Sequence, residues 1–189
     1  MTLSVTLRAT LRVVATGPEC TGKTTLAAGL GAEFGAPWLG EAAREYAAEA
    51  HRGGRVLGLD TVEPIARRAI AAEDAALQSR PPILVLDTDL ISTVVYSRHY
   101  YGTSSVWLEQ EARHRRGDLY LLCAPDIAWM ADGIRDRPEG REEMFALFRS
   151  VLAEFSATVV EIRGLGDARG DAATTALRSL LDARTSATR

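Results

Sequence analysis

The sequence predicts an α/β protein, built on a parallel β-sheet that helices cover on both faces in three α/β/α layers. Five short apolar segments alternate with helix-like segments along the 189 residues. These apolar runs are continuous and do not alternate with polar residues, which is typical of strands buried on both faces of a parallel sheet. Ligands of such sheets bind beyond the carboxyl ends of the strands. Residues that directly follow a strand are therefore the first candidates for function.

The predicted strands are short runs of aliphatic and β-branched residues. In chain order they lie at 11–16, 36–40, 83–86, 119–123 and 158–162. The third run ends at Asp87, and Pro125 closes the fourth because proline cannot continue a strand ladder. The resulting order of strands and helices favours a single domain over residues 11–184, preceded by a flexible lead-in at 1–10.

Helices are predicted between the strands. They span 23–34, 41–52, 60–79, 90–101, 104–115, a segment that ends near 155, and an Ala-rich segment that closes the chain. The first has Leu26, Leu30 and Phe34 on one face. Gly53 and Gly102 follow helix ends, where glycine is favoured, and the pair Asp60 and Glu63 resembles a capping box at the start of the third helix.

The segment between the first strand and the first helix fits the pattern Gly-x-x-x-x-Gly-Lys-Thr. Its glycines let the backbone turn tightly, so that successive N–H groups point at an anion. In this pattern Lys23 reaches the β- and γ-phosphates of a nucleotide, and the Thr24 hydroxyl ligates Mg²⁺. The residues expected to bind the nucleotide here are Gly17, Glu19, Cys20, Thr21, Gly22, Lys23, Thr24 and Thr25.

Two carboxylates stand at the end of the third strand, in Asp87-Thr88-Asp89. Asp87 ends an aliphatic run, which is typical of an aspartate that binds Mg²⁺ beside nucleotide phosphates. Asp89 has two interpretations, a functional group that pairs with substrate hydroxyls and the N-cap of the following helix.

Glu41 follows the second strand, in Gly-Glu-Ala-Ala-Arg-Glu-Tyr. It could accept a proton from the hydroxyl of a phosphate acceptor, and Arg44 could hold the substrate or the transferring group. The alternative is a solvated helix start, where glutamate suits the helix dipole. Tyr100 is the best candidate for stacking on a substrate ring, although tyrosines at such positions more often belong to the core.

An Arg-rich stretch with two glycines and a proline follows the fourth strand, over about 132–141. Because phosphoryl transfer spreads negative charge over the phosphate oxygens, a mobile arginine can accelerate it strongly. A lid carrying Arg135 and Arg137 fits the position and the glycine hinges. The alternative is a loop held by salt bridges to neighbouring acidic residues.

Composition excludes several classes of function. The net charge of −3 argues against a nucleic-acid-binding surface, and the sequence contains no apolar run long enough for a membrane span. With two cysteines, Cys20 and Cys123, and no secretory signal, the chain is expected to be cytoplasmic. The sequence leaves open whether these cysteines are redox-active and whether the protein is a homo-oligomer.

Four segments together resemble the ribosylnicotinamide (nicotinamide riboside) kinase domain of the NadR type, within the P-loop nucleoside kinase group. They are 17–25, 41–45, 87–93 and 132–135, and they occur in the order and spacing of that family. The resemblance implies a five-stranded parallel sheet of order 2-3-1-4-5. It also implies phosphorylation of a riboside 5′-hydroxyl that depends on ATP and Mg²⁺.

The sequence thus leads to a hypothesis about the reaction. Thr24 and Asp87 would hold Mg²⁺, Glu41 and Asp89 would orient the acceptor and one of them would take its proton, and Arg135 would close over the phosphoryl group. The alternatives are a P-loop ATPase or nucleotide-binding switch that acts through a protein partner, and a kinase for another nucleoside or a nucleotide. The sequence leaves the preference for ATP or GTP open.

Overall fold

The computed structural model describes residues 10–128 and 140–186. The described strands form a parallel sheet of order β2-β3-β1-β4-β5. Their bounds are β1 Leu11–Thr16, β2 Trp38–Leu39, β3 Ile83–Asp87, β4 Leu119–Cys123 and β5 Val159–Ile162. The α/β class predicted from the apolar runs and the strand order implied by the family resemblance are both confirmed.

Seven helices lie in the described part of the chain. Their bounds are α1 Lys23–Phe34, α2 Ala42–Arg52, α3 Leu59–Leu77, α4 Leu90–Tyr101, α5 Val106–His114, α6 Arg141–Glu154 and α7 Asp167–Ser186. None of them is both long enough and apolar enough to span a bilayer.

Alternate residues of each central strand face two separate cores. In β1, Val13 points to a core shared with α1 and α7, which includes Leu30 and Leu177. Val14 points to the opposite core, which α3, α4, α5 and α6 cover and which includes Val94 and Phe148. The two cores give the three-layer architecture, because each face of the sheet needs its own helices to bury it.

The parallel register places the carboxyl ends of β1, β2 and β3 side by side, and we refer to this side as the carboxyl edge of the sheet. Ala15 of β1 lies opposite Asp87 of β3, and Leu39 of β2 lies opposite Leu86 of β3. The segments that follow β1, β2 and β3 therefore begin side by side. This edge carries the residues singled out in the sequence.

Two local predictions differ from the structure. The second strand is shorter than predicted, with Pro37 just before it, although the Pro37 carbonyl still accepts a hydrogen bond from the Val85 N–H. The predicted capping box at Asp60 is wrong, because α3 already begins at Leu59 after an extended Gly58. The Glu63 carboxylate pairs instead with Arg67, one turn further along the helix.

Two other expectations stay predictions. The flexible lead-in falls almost entirely on residues 1–9, which lie outside the described residues. The extent of the domain, 11–184, also stays a prediction.

Candidate active site

The loop between β1 and α1 depends on glycine at two points. Gly17 has φ 129°, and a Cβ atom there would lie 2.6 Å from the Cys123 carbonyl oxygen at the end of β4. Gly22 has φ 78° and precedes α1 without any side-chain cap. The first N–H groups of a helix have no partner within the helix, and they favour an anion. The loop thus has the backbone required to surround phosphate.

The side chains of the loop also fit this function. Lys23 is 4% exposed, and its Nζ donates a 2.7 Å hydrogen bond to the Pro18 carbonyl. The Thr21 hydroxyl donates to the same carbonyl at 2.8 Å. A phosphate oxygen is a stronger partner for an ammonium group than a neutral carbonyl is. Lys23 can therefore exchange this contact for one with phosphate.

Thr24 and Asp87 connect the loop to β3. The Thr24 hydroxyl donates to Asp87 Oδ2 at 2.5 Å. Asp87 is 2% exposed, and its buried Oδ1 makes no hydrogen bond to any residue in the described ranges. Burial raises the pKa of Asp87 and the nearby Glu41 charge raises it further, while the Thr24 hydrogen bond and Lys23 lower it. A cation beside Oδ1 would offset the cost of burying this carboxylate.

These two oxygens fit Mg²⁺. A hydroxyl and a carboxylate are hard oxygen ligands, and Mg²⁺ usually takes only one or two ligands from the protein and the rest from phosphates and water. No cluster of three or more metal-binding side chains occurs in the part of the chain that the structure describes. Thr24 and Asp87 are thus suited to a magnesium ion that arrives with a nucleotide.

Asp89 is the N-cap of α4. Its Oδ1 accepts hydrogen bonds from the Ser92 N–H at 3.1 Å and from the Ser92 hydroxyl at 3.4 Å. Its Oδ2 accepts one from the buried Tyr120 hydroxyl at 2.6 Å. Burial raises the pKa of Asp89 to about 6, although the bonds from Tyr120 and Ser92 oppose the shift. Of the two interpretations of Asp89, the structure supports the capping one.

Glu41 lies at the same edge of the sheet as Asp87. Its side chain is buried beside Arg44, whose Nε is 3.6 Å from Glu41 Oε2. Arg44 itself is exposed. Of the two interpretations of Glu41, burial argues against a solvated helix start.

A cavity of about 370 Å³ opens beside Glu41 and reaches Glu19 of the loop. Its walls come from α2, α3 and α4. They include Tyr100, which stacks on Tyr96 with their ring planes inclined by 9° and their centroids 6.1 Å apart. The structure thus brings Glu41 and Tyr100 to the same cavity.

Arg135 and Arg137 lie outside the described residues, as does the predicted lid up to residue 139. Gly140 and Arg141, at its end, are described. Arg141 begins α6, and its guanidinium donates to the carbonyls of Ile127 at 3.1 Å and Cys20 at 3.5 Å. The end of the predicted lid is therefore in contact with the nucleotide loop.

Sequence reasoning missed Arg169 and Asp126. Arg169 lies in the first turn of α7 and donates to the Thr21 carbonyl in the loop. Asp126 follows β4 and accepts from Arg169. Asp126 could have been found, because it stands after a strand end like the other candidates. No sequence pattern singles out Arg169, since a single arginine in an Ala-rich helix is usually solvated.

Comparison with known proteins identifies the family of the chain. A family model described as an AAA domain matches residues 12–169. The chain belongs to this AAA domain family. Among curated proteins it is similar to the trifunctional NAD biosynthesis/regulator protein NadR of Escherichia coli (strain K12), with 27% identity over 150 residues. That match covers 77% of this chain and 36% of NadR.

Two solved structures of NadR have a similar fold. NadR in complex with NR gives a TM-score of 0.68 at 27% identity, covering 84% of this chain and 45% of the other. NadR in complex with NAD and AMP-PNP gives 0.67 at 25% identity, covering 87% and 48%. The chain spans about a third of the length of the curated relative and under half of each solved chain. The predicted resemblance to the NadR-type domain, with its P-loop fold, is confirmed.

Gly17 offers a test of the loop geometry. We expect Gly17→Ala to lower the free energy of unfolding by at least about 2 kcal/mol, because a Cβ at positive φ is strained and here meets a backbone carbonyl. Gly29→Ala is the matched control, since its Cβ meets no atom within 4 Å in α1, and it should stabilise by about 0.5–1 kcal/mol. Urea unfolding measures both, and equal stabilities of the two variants would contradict the described loop.

The raised pKa of the Asp89 carboxyl predicts a dependence of stability on pH. Its pKa is raised from 3.8 to about 6, so folding favours the protonated form, and the stability that this form gives is lost as the pH rises through about 6. The unfolding free energy of the wild type, relative to Asp89→Asn, should fall between about pH 4 and about pH 7. Urea titrations at several pH values measure this difference. Parallel curves for the two proteins would refute the assignment.

Proposed function

We propose that the chain is a kinase that transfers the γ-phosphoryl group of ATP to the 5′-hydroxyl of a riboside, with residues 11–184 acting as one domain. The observation that carries the proposal is the continuity of the site. The loop that carries the buried Lys23 and the Thr24–Asp87 pair also carries Glu19, and Glu19 lines a cavity together with Glu41 and Tyr100. Transfer of a phosphoryl group between two bound substrates requires that their binding sites adjoin.

The donor side consists of the loop from Gly17 to Thr25. Its N–H groups and Lys23 would bind the phosphates, and Lys23 would stabilise the charge that develops on the leaving ADP. Glu19, Cys20 and Thr21 would contribute mainly through their backbone. Arg135, with Arg137 or Arg141, is proposed to cover the transferring group from the lid.

Thr24 and Asp87 are the residues that would hold magnesium. The ion would neutralise charge on the β- and γ-phosphates. With the ion bound, the buried Asp87 carboxylate is more easily kept ionised, because a nearby positive charge lowers its pKa.

The acceptor side is the cavity beside Glu41. The 5′-hydroxyl oxygen would bond to the γ-phosphorus while the bond to the β–γ bridging oxygen breaks, and Glu41 would accept the hydroxyl proton. Asp89 is the weaker choice, because its two oxygens cap α4 and accept from Tyr120. Asp89 is then proposed to act by fixing the start of α4, which carries Thr93 and Tyr100 to the cavity.

The chemistry of the cavity favours a nucleoside over a nucleotide. Among the described residues that line it, the charged side chains are Glu19 and Glu41, and a phosphate group on the acceptor would meet like charge there. Tyr100 offers a face for a base, and a cationic base would also be attracted by the tyrosine ring. Because a similar solved protein is NadR in complex with NR, we propose nicotinamide riboside as the acceptor and nicotinamide mononucleotide as the product.

A screen of ATP consumption over ribosides, with an acceptor-free control, tests the function. We expect nicotinamide riboside to stimulate turnover, and Lys23→Ala to lower that turnover by about a hundredfold or more, because charge in the transition state loses its ammonium partner. Turnover that no acceptor changes would favour the ATPase alternative. Turnover in Lys23→Ala close to that of the wild type would overturn the assignment of the loop.

The role of Glu41 as the base can be tested separately from the binding of ATP. We expect Glu41→Gln to lower kcat by about a hundredfold, in the range of a lost general base, while the KM for ATP stays near that of the wild type. Glu45→Gln is the matched control, since Glu45 lies on the same helix and is exposed, and it should keep kcat. Steady-state kinetics with nicotinamide riboside measure both variants. An unchanged kcat in Glu41→Gln would exclude Glu41 as the base.

A further inference from the structure

Arg169 is buried beneath the nucleotide loop, at 7% exposure. Its guanidinium contacts three separate segments of the chain. It donates to the Thr21 carbonyl in the loop at 3.0 Å, to the Ala124 carbonyl after β4 at 3.3 Å, and to the Gly164 carbonyl after β5 at 3.1 Å. One side chain of α7 thus ties the loop to the ends of two strands.

The contact with Thr21 fixes the orientation of a peptide group. The peptide between Thr21 and Gly22 is planar and trans, so its C=O and N–H point in opposite directions. The carbonyl is held by Arg169 from outside the loop, on the side of α7. The Gly22 N–H therefore points away from Arg169, to the side of the peptide opposite α7.

Asp126 stabilises this arrangement electrostatically. A positive charge in the first turn of a helix is unfavourable, because the dipole is positive at that end. Asp126 Oδ1 accepts from Arg169 at 2.5 Å, and Oδ2 accepts from the Gly164 N–H at 2.8 Å. Burial raises the pKa of Asp126, but the bonds from Gly164 and Arg169 outweigh it and the pKa is lowered overall. The carboxylate is thus ionised at neutral pH and holds the guanidinium in place.

We propose that Arg169 is a positioning residue for nucleotide binding, which keeps the Gly22 N–H directed at the β-phosphate. The inference rests on the proposed function in assigning a nucleoside diphosphate or triphosphate to the loop. It goes further in assigning part of the affinity for that nucleotide to a side chain outside the loop.

The experiment measures the dissociation constant of ADP by calorimetry for the wild type and Arg169→Lys. Lysine keeps the charge but lacks the planar fork, so it cannot hold Asp126 and the Thr21 carbonyl together. Arg116→Lys is the matched control, since Arg116 also bridges backbone carbonyls, those of Phe155 and Ser156, at the opposite edge of the sheet. Steady-state kinetics give the KM for ATP and for the riboside acceptor.

We expect Arg169→Lys to weaken ADP binding and raise the KM for ATP, each by about tenfold, which is the loss of one hydrogen bond to a charged group. The acceptor KM should stay within about twofold, because the loop contacts the donor. Arg116→Lys should bind ADP as the wild type does. If Arg169→Lys fails to fold, Asp126→Asn is measured instead and should weaken ADP binding in the same direction.

Three results would overturn the inference. They are ADP affinity in Arg169→Lys equal to that of the wild type, an equal loss in Arg116→Lys, and an equal rise in the acceptor KM. A wild-type protein that binds ADP but phosphorylates no riboside would refute the proposed function alone, since the effect of Arg169 on ADP binding could still be measured.

Discussion

The hydrogen bond between Thr24 and Asp87 is the contact on which the candidate site depends, because it joins the loop and helix that follow β1 to the end of β3. Thr24 belongs to the first turn of α1, and Asp87 ends β3. They can meet only because β1 and β3 are neighbours with Ala15 opposite Asp87. A shift of one residue in this register would turn the Asp87 side chain to the other face of the sheet. The core that sets the register therefore also sets the site.

The site brings two buried carboxylates, Asp87 and Glu41, close together. Asp87 and Glu41 are buried close enough for the charge of one to raise the pKa of the other, and Lys23 is the buried cation of the loop. Burying two neighbouring carboxylates costs stability, and the charges of Lys23 and Arg44 offset part of that cost at Asp87. A nucleotide that arrives with a divalent ion would bring further positive charge to Asp87. The arrangement of Asp87 and Thr24 therefore suits the ligand of the proposed function, a nucleotide with its own cation.

Four of the five strands were predicted to within one residue at each end, the exception being β2, because the signal of a buried strand is local. A continuous apolar run indicates burial on both faces, and β1 and β4 follow from it directly, while the loop from Gly17 to Thr25 follows from its Gly-x-x-x-x-Gly-Lys-Thr pattern. The start of α3 was mispredicted because the Asp60 pattern is local too, whereas the backbone at Gly58 decides where the helix begins. Asp89 could be placed at a strand end, but its cap and its bond to Tyr120 depend on tertiary packing that no local pattern encodes.

The contacts of Arg169 could not be predicted from the sequence at all. Its partners Thr21 and Ala124 lie 148 and 45 residues away along the chain, so only the closed sheet brings them together. The sequence pattern of the loop identifies the atoms that would contact phosphate. It does not identify the side chains elsewhere in the fold that hold those atoms in position.

In the proposed function, the residues that bind phosphate and the residues that select the acceptor also lie in different parts of the fold. The phosphate-binding edge is formed by β1, β3 and the loop, which are common to many P-loop proteins with different acceptors. The cavity proposed for the acceptor is lined mainly by α2, α3 and α4. Since α4 begins at the Asp89 cap and ends near Tyr100, the cap fixes where the aromatic wall stands relative to Glu41. The proposed function therefore assigns the choice of acceptor to the helices and the phosphoryl chemistry to the strand ends, with Asp89 at the start of α4 between the two.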